Sequence, residues 1–302
     1  MAGKSNSIQL KARGERFFDI VIVLIILIMT ILFLYPFLYI LAVSFNDPAD
    51  TLKGGIVLLP RKFSTIAYET VFRNDALLRA YGITLLRTVI GSASSVLATG
   101  MFAYGLSKKK LMFRNFYFGV CIVTMFFSGG LIPSVILIKN LHLTNSFWVY
   151  IIPALINVYN MLIMKSYFVT LPASLEEAAT IDGCSDIGVF IRIVIPASLP
   201  IIATIALFNA VAQWNSWLDA YLYINDQNLM PLQTILQRIL NQAQASQMLK
   251  DLALGDDITS NRITPQAIQL ATMIISIGPI VAVYPFFQKY FVKGFLIGAI
   301  KE

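Results

Sequence analysis

Six stretches of the chain, at 18–43, 82–106, 114–138, 147–168, 196–223 and 266–291, are each long and apolar enough to cross a lipid bilayer. A membrane-crossing helix needs about 20 such residues, and hydrocarbon offers its backbone no hydrogen-bonding partner but itself. The composition agrees: 57% of the residues are hydrophobic, only 13% are charged, and mean hydropathy is +0.73, too apolar for a water-soluble domain. The expected fold is therefore all-α, a polytopic transmembrane helix bundle with six spans. The first run follows a basic tail, as a secretory signal would. It is too long for one, and no small-residue cleavage site follows, so it is expected to remain a helix. Cys121 within a span and Cys184 in a loop build no disulfide framework.

Lys and Arg in short flanking segments are retained on the cytoplasmic side. They cluster in the N-terminal tail (Lys4, Lys11, Arg13, Arg16), after the second span (Lys108, Lys109, Lys110, Arg114) and at the C-terminal end (Lys289, Lys293, Lys301). Six spans put all three on one side. The expected layout is a cytoplasmic tail at 1–17 and a membrane domain at 18–302, with a cytoplasmic loop at 169–195, an outside loop at 224–265 and both termini cytoplasmic.

The 169–195 loop departs from the charge rule. Glu176, Glu177, Asp182 and Asp186 are four of the chain's 16 acids, set between apolar runs. Pro172 breaks what precedes them, Ser174 and Glu177 have capping-box spacing, and Gly183 stands where a helix would end in a left-handed residue. This predicts a helix at 175–182 with Ala178 and Ala179 at its centre, small enough for a partner to approach the backbone. A capped, solvated connector would look similar. The wider pattern argues otherwise: Glu177-Ala178-Ala179, Gly183, Ile193 and Pro196 at set spacings would arise by chance on the order of once in ten thousand sequences or fewer.

That pattern resembles the E-A-A-x3-G-x9-I-x-L-P loop of ATP-binding-cassette importer permeases, with Ile195 where the family prefers Leu. "AYGLSKKKL", "WNSWLDAYLYI", "PLQTIL" and "PFFQKYFVKGFLIGAIKE" extend the likeness over nearly the whole chain, to the second permease of maltose-type carbohydrate importers and the LplC/YtcP-like polysaccharide group within it. The resemblance implies a multi-pass permease of a bacterial plasma membrane. It implies pairing with a second, homologous permease, two cytoplasmic ATPases that bind the ATP and Mg, and an extracellular solute-binding protein that delivers an oligosaccharide. This chain would hold no cofactor of its own. Glu177, Ala178, Ala179, Asp182, Gly183 and Pro196 would form the ATPase-docking surface, with 175–182 as the coupling helix.

Within the spans, Gly91, Ser95, Thr99 and Ala103 recur every four residues, a stripe suited to close helix packing. Gly129, Gly130 and Pro133 predict a bent or unwound span, tolerated against protein or a water-filled cavity. Arg87 is placed to snorkel to the interface. Asn157, Asn160, Asn209, Gln213, Trp214, Asn215 and Asp219 are costly in hydrocarbon and should face the bundle interior. Amides beside indoles suit sugar hydroxyls and apolar sugar faces, so these residues are a candidate translocation path. Interhelical hydrogen bonding with an interfacial aromatic belt is the alternative.

Outside the spans, residues 44–81 are expected to fold as a cap. Leu232, Ile235, Leu236, Ile239 and Leu240 follow helical spacing after Pro231, predicting a helix along the membrane surface or the binding protein. An exposed loop is expected over 245–262.

Catalytic and metal constellations are missing from the pattern. "GKS" at Gly3–Ser5 lacks the upstream glycine of a phosphate loop and is expected to be a polar tail. His142 has no Cys, Asp or Glu at ligand spacing and is expected at the surface. "GFLIG" at Gly294–Gly298 suggests a weak packing site. A secondary transporter would need buried relays and an internal repeat, and an intramembrane enzyme paired acids or a Ser with His. The runner-up is a permease of the same superfamily for a non-carbohydrate solute. Nothing in the pattern suits nucleic acid.

Overall fold

The computed structural model describes residues 13–51, 53–251 and 265–299. Gly3–Ser5, the bases Lys4, Lys11 and Lys301, and the stretch 252–264 lie outside the described residues. The described chain is helical throughout, with one isolated antiparallel bridge between Asn46 and Phe63. Its α-helices are α1 (Arg13–Ser44), α2 (Pro48–Thr51), α3 (Ile66–Arg73), α4 (Asp75–Ser107), α5 (Arg114–Phe126), α6 (Leu131–Asn140), α7 (Val158–Phe168), α8 (Ala173–Ile181), α9 (Asp186–Val189), α10 (Ile195–Ala197), α11 (Leu199–Asn215), α12 (Leu218–Tyr223), α13 (Leu232–Asp251) and α14 (Pro265–Ala299).

The chain forms two compact units, one of residues up to Glu69 plus Asp257–Ile274, the other of Thr70–Asp256 plus Ile275 onward. In the first unit the apolar surface of α1 stays unburied, as suits a helix facing lipid or another subunit. The segment after it folds on itself. Asn46 accepts from the Lys62 amide at 2.8 Å, Arg61 pairs with Asp50 at 2.8 Å, and Phe45 stacks on Phe63 and on Tyr68.

The second unit is organised on α4. Asn74 caps it by accepting from the amides of Ala76 and Leu77, so the helix starts at Asp75 rather than at 82. Its stripe of Gly91, Ser95, Thr99 and Ala103 is buried against α7 and α11, as the spacing predicts. The fit is close: a Cβ on Gly91 would meet the Gln213 side chain at 2.8 Å, and one on Gly100 the Met164 methyl at 2.9 Å. Small residues thus allow the backbone approach that holds helices together where lipid tails remove the hydrophobic drive. Tyr104, Met161, Met164, Phe168, Phe190 and Ile205 fill the cluster beside it.

Among the described residues, three helices are long and apolar enough to cross a membrane: Phe17–Ser44, Asp75–Ser107 and Gln266–Phe286. Two of the other expected spans, 114–138 and 147–168, are bent pairs, and the third, 196–223, starts at a bend that joins it to helix from the expected 169–195 loop. Residues 114–126 and 131–140 meet at 116°, 147–154 and 158–168 at 48°, and 186–197 and 199–215 at 89°. The first bend falls at the expected glycines, with Gly130 at φ +88°. The bends in the other two were not expected. Pro153 breaks one segment into 3-10 turns, and Pro196 and Pro200 flank Ser198 in the other; each proline removes an amide donor from its helix.

A further correction concerns α13. Its apolar stripe turns at least partly onto the chain's own second unit: Leu232 and Leu236 are buried, and the Leu232 amide donates to the Thr84 hydroxyl of α4 at 2.8 Å. The helix also runs to Asp251, through the first part of the expected loop. Its second turn onward carries glutamines and no acid before Asp251, a sequence that keeps helical propensity without an apolar face.

Candidate functional site

Two polar regions of the second unit answer to the sequence expectations, and α4 contributes to both.

The first is the loop around α8. The helix begins at Ala173, which puts Ser174 inside the first turn, where its hydroxyl cannot cap; the expected capping box does not form, and no side chain caps this end. The other end is as expected. Gly183 adopts φ +81°, its amide donates to the Thr180 carbonyl at 3.1 Å, and the Cys184 amide donates to the Ala179 carbonyl at 2.9 Å. These two bonds satisfy carbonyls that a helix end leaves without donors. Ser185 then caps α9, accepting from the Gly188 amide, and a π-turn at Phe190–Val194 leads to α10.

Glu177, Ala178, Asp182, Gly183 and Pro196 are exposed, while Ala179 is buried on the chain's own core and is not available to a partner. Ile181 is 86% exposed and Ile187 64%, an apolar pair rimmed by acids. Glu176 pairs with Lys108, whose ammonium sits 4.0 Å from the centre of the Tyr104 ring. Burial alone would lower the Lys108 pKa, but the bond to Glu176 and the contact with Tyr104 outweigh it and raise the value above its usual 10.5. A cavity of about 1140 Å³ opens here, walled by Lys108–Lys110 on one side and Glu176, Glu177 and Asp186 on the other.

The second region is a cavity of about 530 Å³ between α4, α11 and the broken segments. Arg87, expected to snorkel, is 1% exposed. Its guanidinium donates to Gln213 Oε1 at 3.1 and 3.0 Å, to the Ser216 carbonyl at 3.2 Å, and to both Asp219 oxygens at 3.3 and 2.5 Å, with its carbon 4.2 Å from the Tyr150 ring centre. A buried arginine is tolerated only when its charge is paired, and the acid at the expected rim, Asp219, is the pair.

The broken segments are stitched by side chains of neighbouring helices. Thr99 donates to the Leu155 carbonyl at 3.1 Å and accepts from the Asn157 amide at 3.3 Å, and Gln213 donates to the Tyr150 carbonyl at 3.0 Å. Irregular backbone at membrane depth needs such partners.

The seven candidate path residues separate accordingly. Asn157, Asn209, Gln213 and Asp219 line the cavity. Asn160 stands behind it, donating to Asn209 at 3.3 Å. Trp214 is turned away: its indole N–H donates to the Ser276 carbonyl of α14 at 3.0 Å, and its ring meets Tyr81 edge-on. Asn215 is exposed, does not line the cavity, and donates to the Val211 carbonyl at 3.0 Å. The alternative of interhelical hydrogen bonding therefore describes Asn160 and Trp214. Arg87, Tyr150 and Thr99 were missed as site residues; a cation inside an apolar run was the signal for the first. His142 is exposed, as expected.

Residues 2–296 match the family of binding-protein-dependent transport system inner membrane components. The chain belongs to that family. As an inner membrane component it is a transport subunit and not an enzyme. It is 42% identical to Protein LplC of Bacillus subtilis (strain 168) over 291 residues, 96% of each chain. It is 39% identical over 288 residues to the polygalacturonan/rhamnogalacturonan transport system permease protein YtcP of that organism, covering 95% of this chain and 99% of the relative. Among solved structures it superposes on a chain of a bacterial ABC transporter involved in the import of the acidic polysaccharide alginate, with TM-score 0.83, 29% identity, and coverage of 93% and 99%.

Proposed function

We propose that this inner membrane component is the permease subunit of an ATP-binding-cassette importer for oligosaccharides or polysaccharide fragments. The observation that carries the reading is near-full-length similarity, at 39% identity, to a permease named for pectic polysaccharides, in a chain whose broken helices enclose a polar cavity. The chain makes six passes with both termini cytoplasmic, each bent pair counting as one. It pairs with a homologous permease, takes sugar from an extracellular binding protein, and is driven by two ATPases that bind ATP and Mg. Their docking surface is the exposed part of the α8 loop: Glu177, Ala178, Asp182 and Gly183, with Ile181 as an apolar anchor of the kind that central interface residues supply. Pro196 contributes at the rim. Asn157, Asn209, Gln213 and Asp219 line the sugar path.

Two measurements test this. In a background without Cys121 and Cys184, Lys109→Cys and Gly183→Cys should be shielded from an impermeant thiol reagent in intact cells while Ser246→Cys labels; labelling at 109 overturns the six-pass arrangement. Deleting the chain should abolish uptake of the sugar its binding protein carries, and unchanged uptake overturns the importer reading.

A further inference from the structure

The second cavity holds one cation, Arg87, and the way that cation is held says what it can read. Its Nε and Nη2 are fixed by Gln213, its Nη1 by the Ser216 carbonyl, and its face by Tyr150. What remains is the Nη1–Nη2 edge, the two parallel donors that match a carboxylate. Asp219 fills that edge. The two partners are not equally anchored: the arginine side chain is 1% exposed, the aspartate 24%. Asp219 also sits on α12, a short helix beyond the break at 216–217, whereas Arg87 sits within the continuous α4. If the pair parts, Arg87 stays and Asp219 moves.

A second group in the wall is unspent. Asn209 is 9% exposed and lines the cavity, and its Nδ2 has no hydrogen-bond partner among the described residues. The atom itself is out of contact with the cavity, so a ligand reaches it only when the Asn209 amide turns inward; a buried donor without a partner costs about 1–3 kcal/mol, which favours that turn once an acceptor is present. The cavity, at about 530 Å³, lies in the range of roughly 300–1,000 Å³ that holds small ligands.

We propose that Arg87 is a carboxylate-reading residue: Asp219 occupies the place of a uronate carboxylate, and an acidic sugar unit entering the cavity takes that place while Asn209 donates to an oxygen of the same unit. A neutral sugar has no group able to displace Asp219 and leaves the pair closed. The exchange keeps Arg87 paired throughout and releases the Asp219 carboxylate to water in the cavity, so no uncompensated cation is ever buried. The inference rests on the importer reading and deepens it, naming uronate-containing oligosaccharides as the class that this subunit selects.

The test uses the intact importer, both permeases with their ATPases, in nanodiscs without binding protein. The probes are trigalacturonate and its methyl ester, the same sugar without the charge. Binding to wild type, Asp219→Asn, and the double variant Arg87→Gln/Asp219→Asn is measured by titration. Asp219→Asn vacates the edge and should tighten the acid by about tenfold, the scale of one charge-assisted contact, while the ester changes by less than about twofold. Adding Arg87→Gln should erase the preference; the double variant leaves no lone buried charge, and thermal unfolding checks that both it and Asp219→Asn, which leaves Arg87 without its carboxylate, are folded. Equal effects on both probes, no effect, or no binding to wild type and Asp219→Asn overturns the proposal. Binding-protein-driven uptake is read in parallel. Uptake retained without probe binding removes this subsite and leaves the importer reading standing, whereas wild type that imports no sugar removes the importer reading itself.

Discussion

Glu176 and Asp219 are both carboxylates paired with a cation contributed by α4 or its cap, yet the two pairs live in different solvents. Lys108 and Glu176 are 32% and 28% exposed and meet through a single ammonium contact above Tyr104. Arg87 is 1% exposed and spends its whole guanidinium on Gln213, Ser216 and Asp219. The difference teaches that the buried pair is costly to break because each partner would face desolvation alone, while the exposed pair has water as a substitute.

The largest expected effect comes from breaking the buried side. Arg87→Gln leaves Asp219 without its cation and should cost about 3 kcal/mol, toward the low end for buried pairs because the carboxylate keeps some water contact. Assembled complex recovered from membranes, and its unfolding midpoint, check this. An unchanged midpoint would mean the pair is as dispensable as the surface one. Next is the packing that keeps water from it. Gly91→Leu drives carbons into the Gln213 side chain and should cost about 1–3 kcal/mol by the same measurement, with polar-cavity function lost alongside.

The exposed side should respond in function more than in stability. Gly183→Val at φ +81° costs about 1–2 kcal/mol and re-aims α9, and Glu177→Lys costs less. Both should insert and pair normally while substrate-stimulated ATP hydrolysis and transport fall sharply. Normal transport with ATPase bound would return α8 to a solvated connector. The smallest effect is at the exposed pair. Glu176→Lys should cost under about 1 kcal/mol, and the exchange Lys108→Glu/Glu176→Lys should restore it. Because the Lys108 pKa is raised on folding, its contribution is present below the unfolded value and fades only as pH climbs past the folded one. Between about pH 6 and pH 9 the coupling should therefore show no step from this lysine.

How much of this could be read beforehand follows the same division. The α8 loop was legible almost residue by residue, because helix ends are written locally: Pro172 before, Gly183 after, with the left-handed glycine where the spacing put it. The capping box misled, since Ser174 has the right spacing to Glu177 while the helix in fact starts one residue before it, and so did Ala179, whose burial depends on what packs beneath the helix. The cavity was legible as a set of polar residues but not as an arrangement. Nothing local tells that Gln213 faces Arg87 while the adjacent Trp214 faces α14, because that depends on which helix lies on each side. The bend at Ser198 was hidden for a related reason: prolines near a helix start are compatible with a straight helix as well as a broken one. Arg87 was misjudged by measuring its distance to the span's end rather than asking what could neutralise it.

One feature of α4 ties the two regions mechanically. It runs 33 residues without a proline or a break, and Arg87 and Lys108 lie about 32 Å apart along it at a rise of about 1.5 Å per residue. A rod of that length converts a small angle into a useful stroke: a tilt of about 10° about one end displaces the other by about 5 Å, nearly one helical turn. Whatever grips the Glu176 end of such a lever need not signal through a chain of side chains to reach the Arg87 cavity. It has only to lean.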